Sequence, residues 1–245
     1  MKASDRLRTA AAEVAALRTL EGVDPEVTAR RDALREWQAK RLVHTHADLL
    51  REPRHARAAR FFLDELYGAK DFSQRDDELA RVIPTLARFL PQAALETIAD
   101  AVELDALSER LDLATARALA ADPALRDGAP IDDAAYARAY RSAGSRTDRE
   151  RQIELIDHIG RALDRLVRHP LLGSLLGAME KPARLAGLVA MHEFLASGFA
   201  AFRAMRGADE FLRRVTGRET ELMQRLYAGE SDPLQRAGQG SADTS

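Results

Sequence analysis

Between Leu185 and Phe202 the only strongly polar side chains are His192 and Glu193, with Ser197 weakly so. Apolar residues there fall on nearly every side of a 3.6-residue period, the pattern of a helix covered on most faces. The stretch PARLAGLVAMHEFLASGFAAFRAM, Pro182 to Met205, is therefore predicted to be one helix at the centre of the fold. By length alone, about 18 apolar residues approach a membrane span. The His-Glu pair near the middle and the many small residues point instead to a buried core helix.

The rest of the chain carries the same period. Residues 3–20 read as a first helix, closed by Gly22-Val23-Asp24-Pro25. Asp24 as N-cap with Pro25 at N1 opens a second helix to about Leu50. Beyond Pro53, a helix over about 54–67 presents Ala59, Phe62, Leu63 and Leu66, with Gly68 as its C′ residue. Ser73 and Asp76 form a variant capping box for a helix carrying Leu79, Val82, Ile83, Leu86 and Phe89, kinked at Pro84. Residues 92–120 read as a long helix with apolar residues on two sides, hence sandwiched between neighbours. After a weak break at 122–133 come a short helix over 132–142 and a helix to about Arg168 capped by Thr147 and Glu150. A short helix follows at LLGSLLGAM, then the central one ending at Gly207, and a last helix to Tyr227. No stretch alternates with period two. The predicted fold class is all-α: one multi-helix bundle over residues 1–228, built around helices 92–120 and 182–206, with a disordered tail over 229–245.

Composition narrows the function classes. With no cysteine among 245 residues, a disulfide framework, a thiolate nucleophile and cysteine-ligated metal are all excluded. The N-terminus reads as an amphipathic helix and not as a signal peptide, which makes the cytoplasm the expected location. Net charge is −2, but residues 61–135 carry 7 basic and 16 acidic side chains. A middle of that sign argues against nucleic acid as a partner.

His192 shares a side with Leu185, Leu188, Val189 and Phe199. It reads either as a core histidine bonded to a carboxylate or carbonyl, or as a ligand residue. Asp105 shares a side with Ile98 and needs a partner as a semi-buried carboxylate, so a pocket formed by His192 and Asp105 is the candidate ligand site. The row Arg30, Trp37, Arg41, His44, Asp48 is oddly polar for a packing seam. It fits an interface for a partner helix or an anionic ligand, or an internal salt-bridged seam against the acidic helix 92–120. His44, His46, Asp48 and His55 are the densest group of metal-ligand side chains, yet they need a carboxylate from another helix to complete a site. No Glu-x-x-His, HExxH, P-loop, glycine-rich nucleotide fingerprint or GxSxG occurs, so no cofactor is identified.

The stretches FFLDELYGAKDFSQRDDELARVIPTLARFLP, ALETIADAVELDALSERLD and PARLAGLVAMHEFLASGFAAFRAMRGADEFL resemble an uncharacterised family of bacterial all-helical proteins. That resemblance implies a helical fold and supplies no site residues. The expectation is a non-catalytic scaffold or protein-interaction protein, with a protein partner or a second copy of the chain bound to it. The alternative is a ligand-binding protein, metal-binding protein or enzyme with a pocket at His192.

Overall fold

The computed structural model describes residues 2–19, 24–65, 78–84, 88 and 90–234. Its helices are α1 (Ala3–Thr19), α2 (Pro25–Thr45), α3 (Ala47–Arg51), α4 (Ala56–Glu65), α5 (Gln92–Ala120), α6 (Asp133–Ser142), α7 (Arg146–Leu166), α8 (Pro170–Leu185), α9 (Val189–Met205) and α10 (Asp209–Ala228). A 3-10 turn spans Pro123–Gly128, and residues 78–84 are also helical. There is no strand among the described residues. The chain folds as an all-helical bundle.

Local chemistry sets most of these boundaries. The Asp24 side chain accepts a hydrogen bond from the Glu26 N–H at 2.8 Å, and Pro25 follows at N1. Asp132 caps α6 through the Ala135 N–H at 2.7 Å. Ser145, and not Thr147, caps α7: its hydroxyl accepts from the Asp148 N–H at 3.1 Å and donates to the Asp148 carboxylate at 2.7 Å. Glu150 is drawn to Arg146 instead, at 2.9 Å. The second helix stops at Thr45, where His46 leaves helical geometry and its buried ring turns toward Glu219. The box at Ser73 and Asp76, together with Leu66, Gly68, Leu86 and Phe89, lies outside the described residues.

The bundle is organised around α5. Its buried residues run from Ala94 to Leu119 and face α1, α2, α6 and α7 in turn. Leu95 and Ala99 join Leu7 of α1 and Met191 of α9, Leu107 and Leu111 meet Leu155 and Ile159 of α7, and Leu119 reaches Tyr136 of α6 and Leu226 of α10. Leu234 is buried in the last of these clusters, so residues just beyond α10 belong to the packed body.

The stretch 182–205 is not one helix. α8 continues through Pro182 to Leu185 and closes with a Schellman turn: the Leu188 N–H bonds the Ala183 carbonyl at 2.8 Å, and the Gly187 N–H bonds Arg184 at 3.2 Å. Gly187 takes φ +65°, which its missing Cβ permits. A second helix starts at Val189, where buried Glu78 accepts a hydrogen bond from the Met191 N–H at 2.8 Å and satisfies its open N-terminus. Ala201, Phe202 and Met205 are fully buried near the end of α9, whereas Leu185 is 91% exposed.

Candidate functional site

The polar row of α2 faces inward. Arg30 binds Glu26 at 2.9 Å, donates to the Ala129 carbonyl at 2.8 Å and reaches the Leu125 carbonyl, which ties α2 to the 3-10 turn. Trp37 stacks on Tyr136 with ring centroids 4.1 Å apart, the start of an aromatic ladder through Tyr140 to Tyr227. Arg41 meets Glu219 of α10 at 2.5 Å. Asp48, just beyond α2, holds Arg218 at 2.6 Å and Arg214 as well. Within the row, His44 remains exposed. The seam is thus internal and salt-bridged, but it lies against α6 and α10 and not, as expected, against the acidic α5.

Residues about 100° further round α2 serve α5. Glu109 gathers three arginines: Arg18 at 3.0 Å, Arg35 at 2.8 Å, and Arg31, which is itself almost wholly enclosed. Burial works against ionisation of Glu109, yet the charges of Arg35, Arg31 and Arg18 hold its carboxyl below the ordinary value. Asp112, one turn on, accepts a hydrogen bond from Gln38 at 3.1 Å, and burial pushes its carboxyl up. On α10, burial again opposes ionisation of Glu219, but Arg41 and His46 hold its carboxyl down at about 2.

His192 and Asp105 are not brought together. The His192 Nε2–H donates to the Leu176 carbonyl at 2.9 Å and fastens α9 to α8. Asp105 accepts hydrogen bonds of 2.8 and 2.9 Å from Arg18. The best metal-ligand geometry among the described residues is Glu52, His55 and Glu210, with ligand atoms within 4.8 Å of one another. A cation already occupies that place. Arg214 binds both Glu52 oxygens at 2.9 and 2.7 Å, and Arg54 pairs with Glu210 at 3.2 Å. The His55 Nδ1–H donates to Glu52 at 2.7 Å, and its ring lies tilted against Phe211 with centroids 5.9 Å apart. A metal ion would have to displace the guanidinium.

Among the described residues, two surface grooves carry polar side chains. The larger, about 530 Å³, is lined by Asp100, Glu154, Asp157, His158, Thr216 and Thr220 among others, with the His158 Nε2 3.3 Å from Asp100. Asp100 is also held by Arg6 at 2.5 Å. The smaller, about 380 Å³, lies where α8 begins and is bordered by Arg168, His169, Arg203 and Arg206 with Asp164. Neither His192 nor Asp105 lines either groove.

The most unusual surface is α8 itself. Of five large exposed hydrophobic side chains among the described residues, four belong to this helix: Leu171 (69%), Leu175 (45%), Met179 (42%) and Leu185 (91%). Ala183 is its one buried residue. Isolated exposed hydrophobes are ordinary, whereas a contiguous set marks a surface that something covers. Periodicity located the apolar residues but could not say which neighbours would reach them. Arg214, Arg218 and Glu219, which complete the α2 seam, also escaped sequence reasoning. Their signal was the i,i+4 arginine pair followed by an acid on α10, matched to the polar row of α2.

A family model for a domain of unknown function, DUF8198, matches residues 18–233. No curated protein and no solved structure matches the chain.

Proposed function

This chain belongs to the DUF8198 family, a domain of unknown function, and we propose that it is a cytoplasmic, non-catalytic interaction protein that docks through α8. The observation that carries this reading is the clustering of exposed apolar side chains on α8, beside a polar seam whose charges are met internally. A site-specific photo-crosslinking amino acid at Leu175 tests it, with Val43, the exposed large hydrophobe outside α8, as control. Adducts formed in cells at position 175 and not at 43 are expected. No adduct at 175 would sink the proposal.

A ligand site around His192 draws no support from its bond to a backbone carbonyl. A second reading rests on the larger groove, where Asp100 sits beside the His158 imidazole at 3.3 Å, an arrangement able to serve a general base. Native mass spectrometry of the untagged protein separates the two readings. A bound small molecule that His158→Ala releases favours the groove, and a clean apo mass favours docking.

A further inference from the structure

We infer that the occupant of the α8 face is an anionic lipid surface, against which α8 lies as an interfacial helix. This rests on the docking reading above and names its partner. At about 100° per residue, Leu171, Ser174, Leu175, Ala178, Met179, Pro182 and Leu185 share a sector of roughly 140°. All seven are exposed, and none is charged.

Charge at the edges of the sector sets the sign of the partner. Residues 163–206 hold six basic and three acidic side chains, a net of +3 in a chain of net −2. Lys181 flanks the sector, whereas Arg184 lies on the far side of α8 beside Glu180 at 3.7 Å and Arg168, before α8, is paired with Asp164. Arg203 of α9 lies over the first turn, its Nη1 near the open side of Gly173. Among the described residues Lys181, Arg203 and Arg206 form no ion pair.

Shape then separates the occupants. α8 stands as a ridge resting chiefly on α9, with open space beside Gly177 and Gly187. The smaller groove sits at its beginning, and Leu171, Leu175, Met179 and Leu185 line neither of the grooves described above. A second copy fits poorly, because an antiparallel pair would bring Lys181 to the partner's start of α8, where Arg203 and Arg206 carry charge unpaired among the described residues. A lipid surface needs neither groove nor large area. The apolar sector enters the headgroup–acyl boundary while Lys181, Arg203 and Arg206 reach lipid phosphates. No helix among the described residues is long and apolar enough to cross a membrane, so the contact is with one leaflet.

The test is co-sedimentation of the full chain with vesicles of phosphatidylcholine alone, or of phosphatidylcholine and phosphatidylglycerol at roughly three to one. Wild type should bind the anionic vesicles about tenfold or more tightly than the neutral ones, and high salt should release it. Leu171→Glu/Leu175→Glu should lose about tenfold or more, and Lys181→Glu/Arg203→Glu roughly 25-fold. Arg117→Glu, a distant exposed site, should stay within about twofold of wild type. Unchanged circular dichroism melts show that the variants fold. Failure to bind anionic vesicles, or equal binding to neutral ones, overturns the lipid assignment. If that failure comes with crosslinks at position 175, the docking reading survives with a protein partner. If position 175 yields no adduct, both fall.

Discussion

The α2–α10 seam and the α8 ridge exchange the roles their compositions suggest. α2 carries arginines and a tryptophan on a row that turns inward, where Glu219 neutralises Arg41 and Asp48, just beyond α2, holds Arg214 and Arg218, while His44 stays exposed. α8 carries leucines and a methionine on a row that turns outward and is exposed among the described residues. Hydrophobicity alone does not decide burial. A charged row becomes interior when another helix brings the opposite charges in register, and an apolar row stays exposed when its helix ends before a second layer reaches it.

The sharpest way to break this contrast is to remove a charge from the interior. Glu109→Ala leaves Arg31 enclosed without a carboxylate, and should cost about 3–5 kcal/mol in urea denaturation. A loss below about 1 kcal/mol would mean that the interior charges matter no more than exposed ones. Glu219→Gln should cost less, about 3 kcal/mol, because Arg41 and Glu219 retain some solvent.

Glu219 also sharpens the contrast through pH. Its folded carboxyl is held at about 2 against an ordinary 4.5, so its contribution is complete above the unfolded value and is lost as pH falls from 4.5 toward 2. Wild type should therefore lose stability over that window, and Glu219→Gln should show a flatter profile. Parallel curves for the two proteins would remove the Arg41–Glu219 pair from the account.

Smaller effects lie at the ridge. Gly187→Ala meets nothing within 4 Å, so its cost is conformational, about 1–2 kcal/mol for a side chain at φ +65°. Replacing Leu171, Leu175 and Met179 together by serine should change stability by less than about 0.5 kcal/mol per site. A large drop in melting temperature would show that this face is covered in the folded chain, contrary to its exposure.

How much of this was legible in advance differs between the two regions. In α5, the apolar positions on two sides announced a helix packed between neighbours, and its span was readable from Pro91 to Ala120. Asp24-Pro25 located the start of α2 because an N-cap is a contact between residues two apart. His192 and Asp105 could each be recognised as polar groups needing partners. Their partners, the Leu176 carbonyl and Arg18, lie 16 and 87 residues away, and no local spacing encodes them.

By itself the sequence determined the helical class, most helix ends and the absence of cysteine chemistry, because periodicity, caps and composition act over a few residues. Tertiary structure alone decided that Pro182–Met205 divides at Gly187, that Glu109 draws three arginines from two helices, and that α8 is left bare. Burial and charge pairing are properties of neighbours distant in the chain. An apolar pattern states what a helix can bury, and only the arrangement of the other helices settles whether it does.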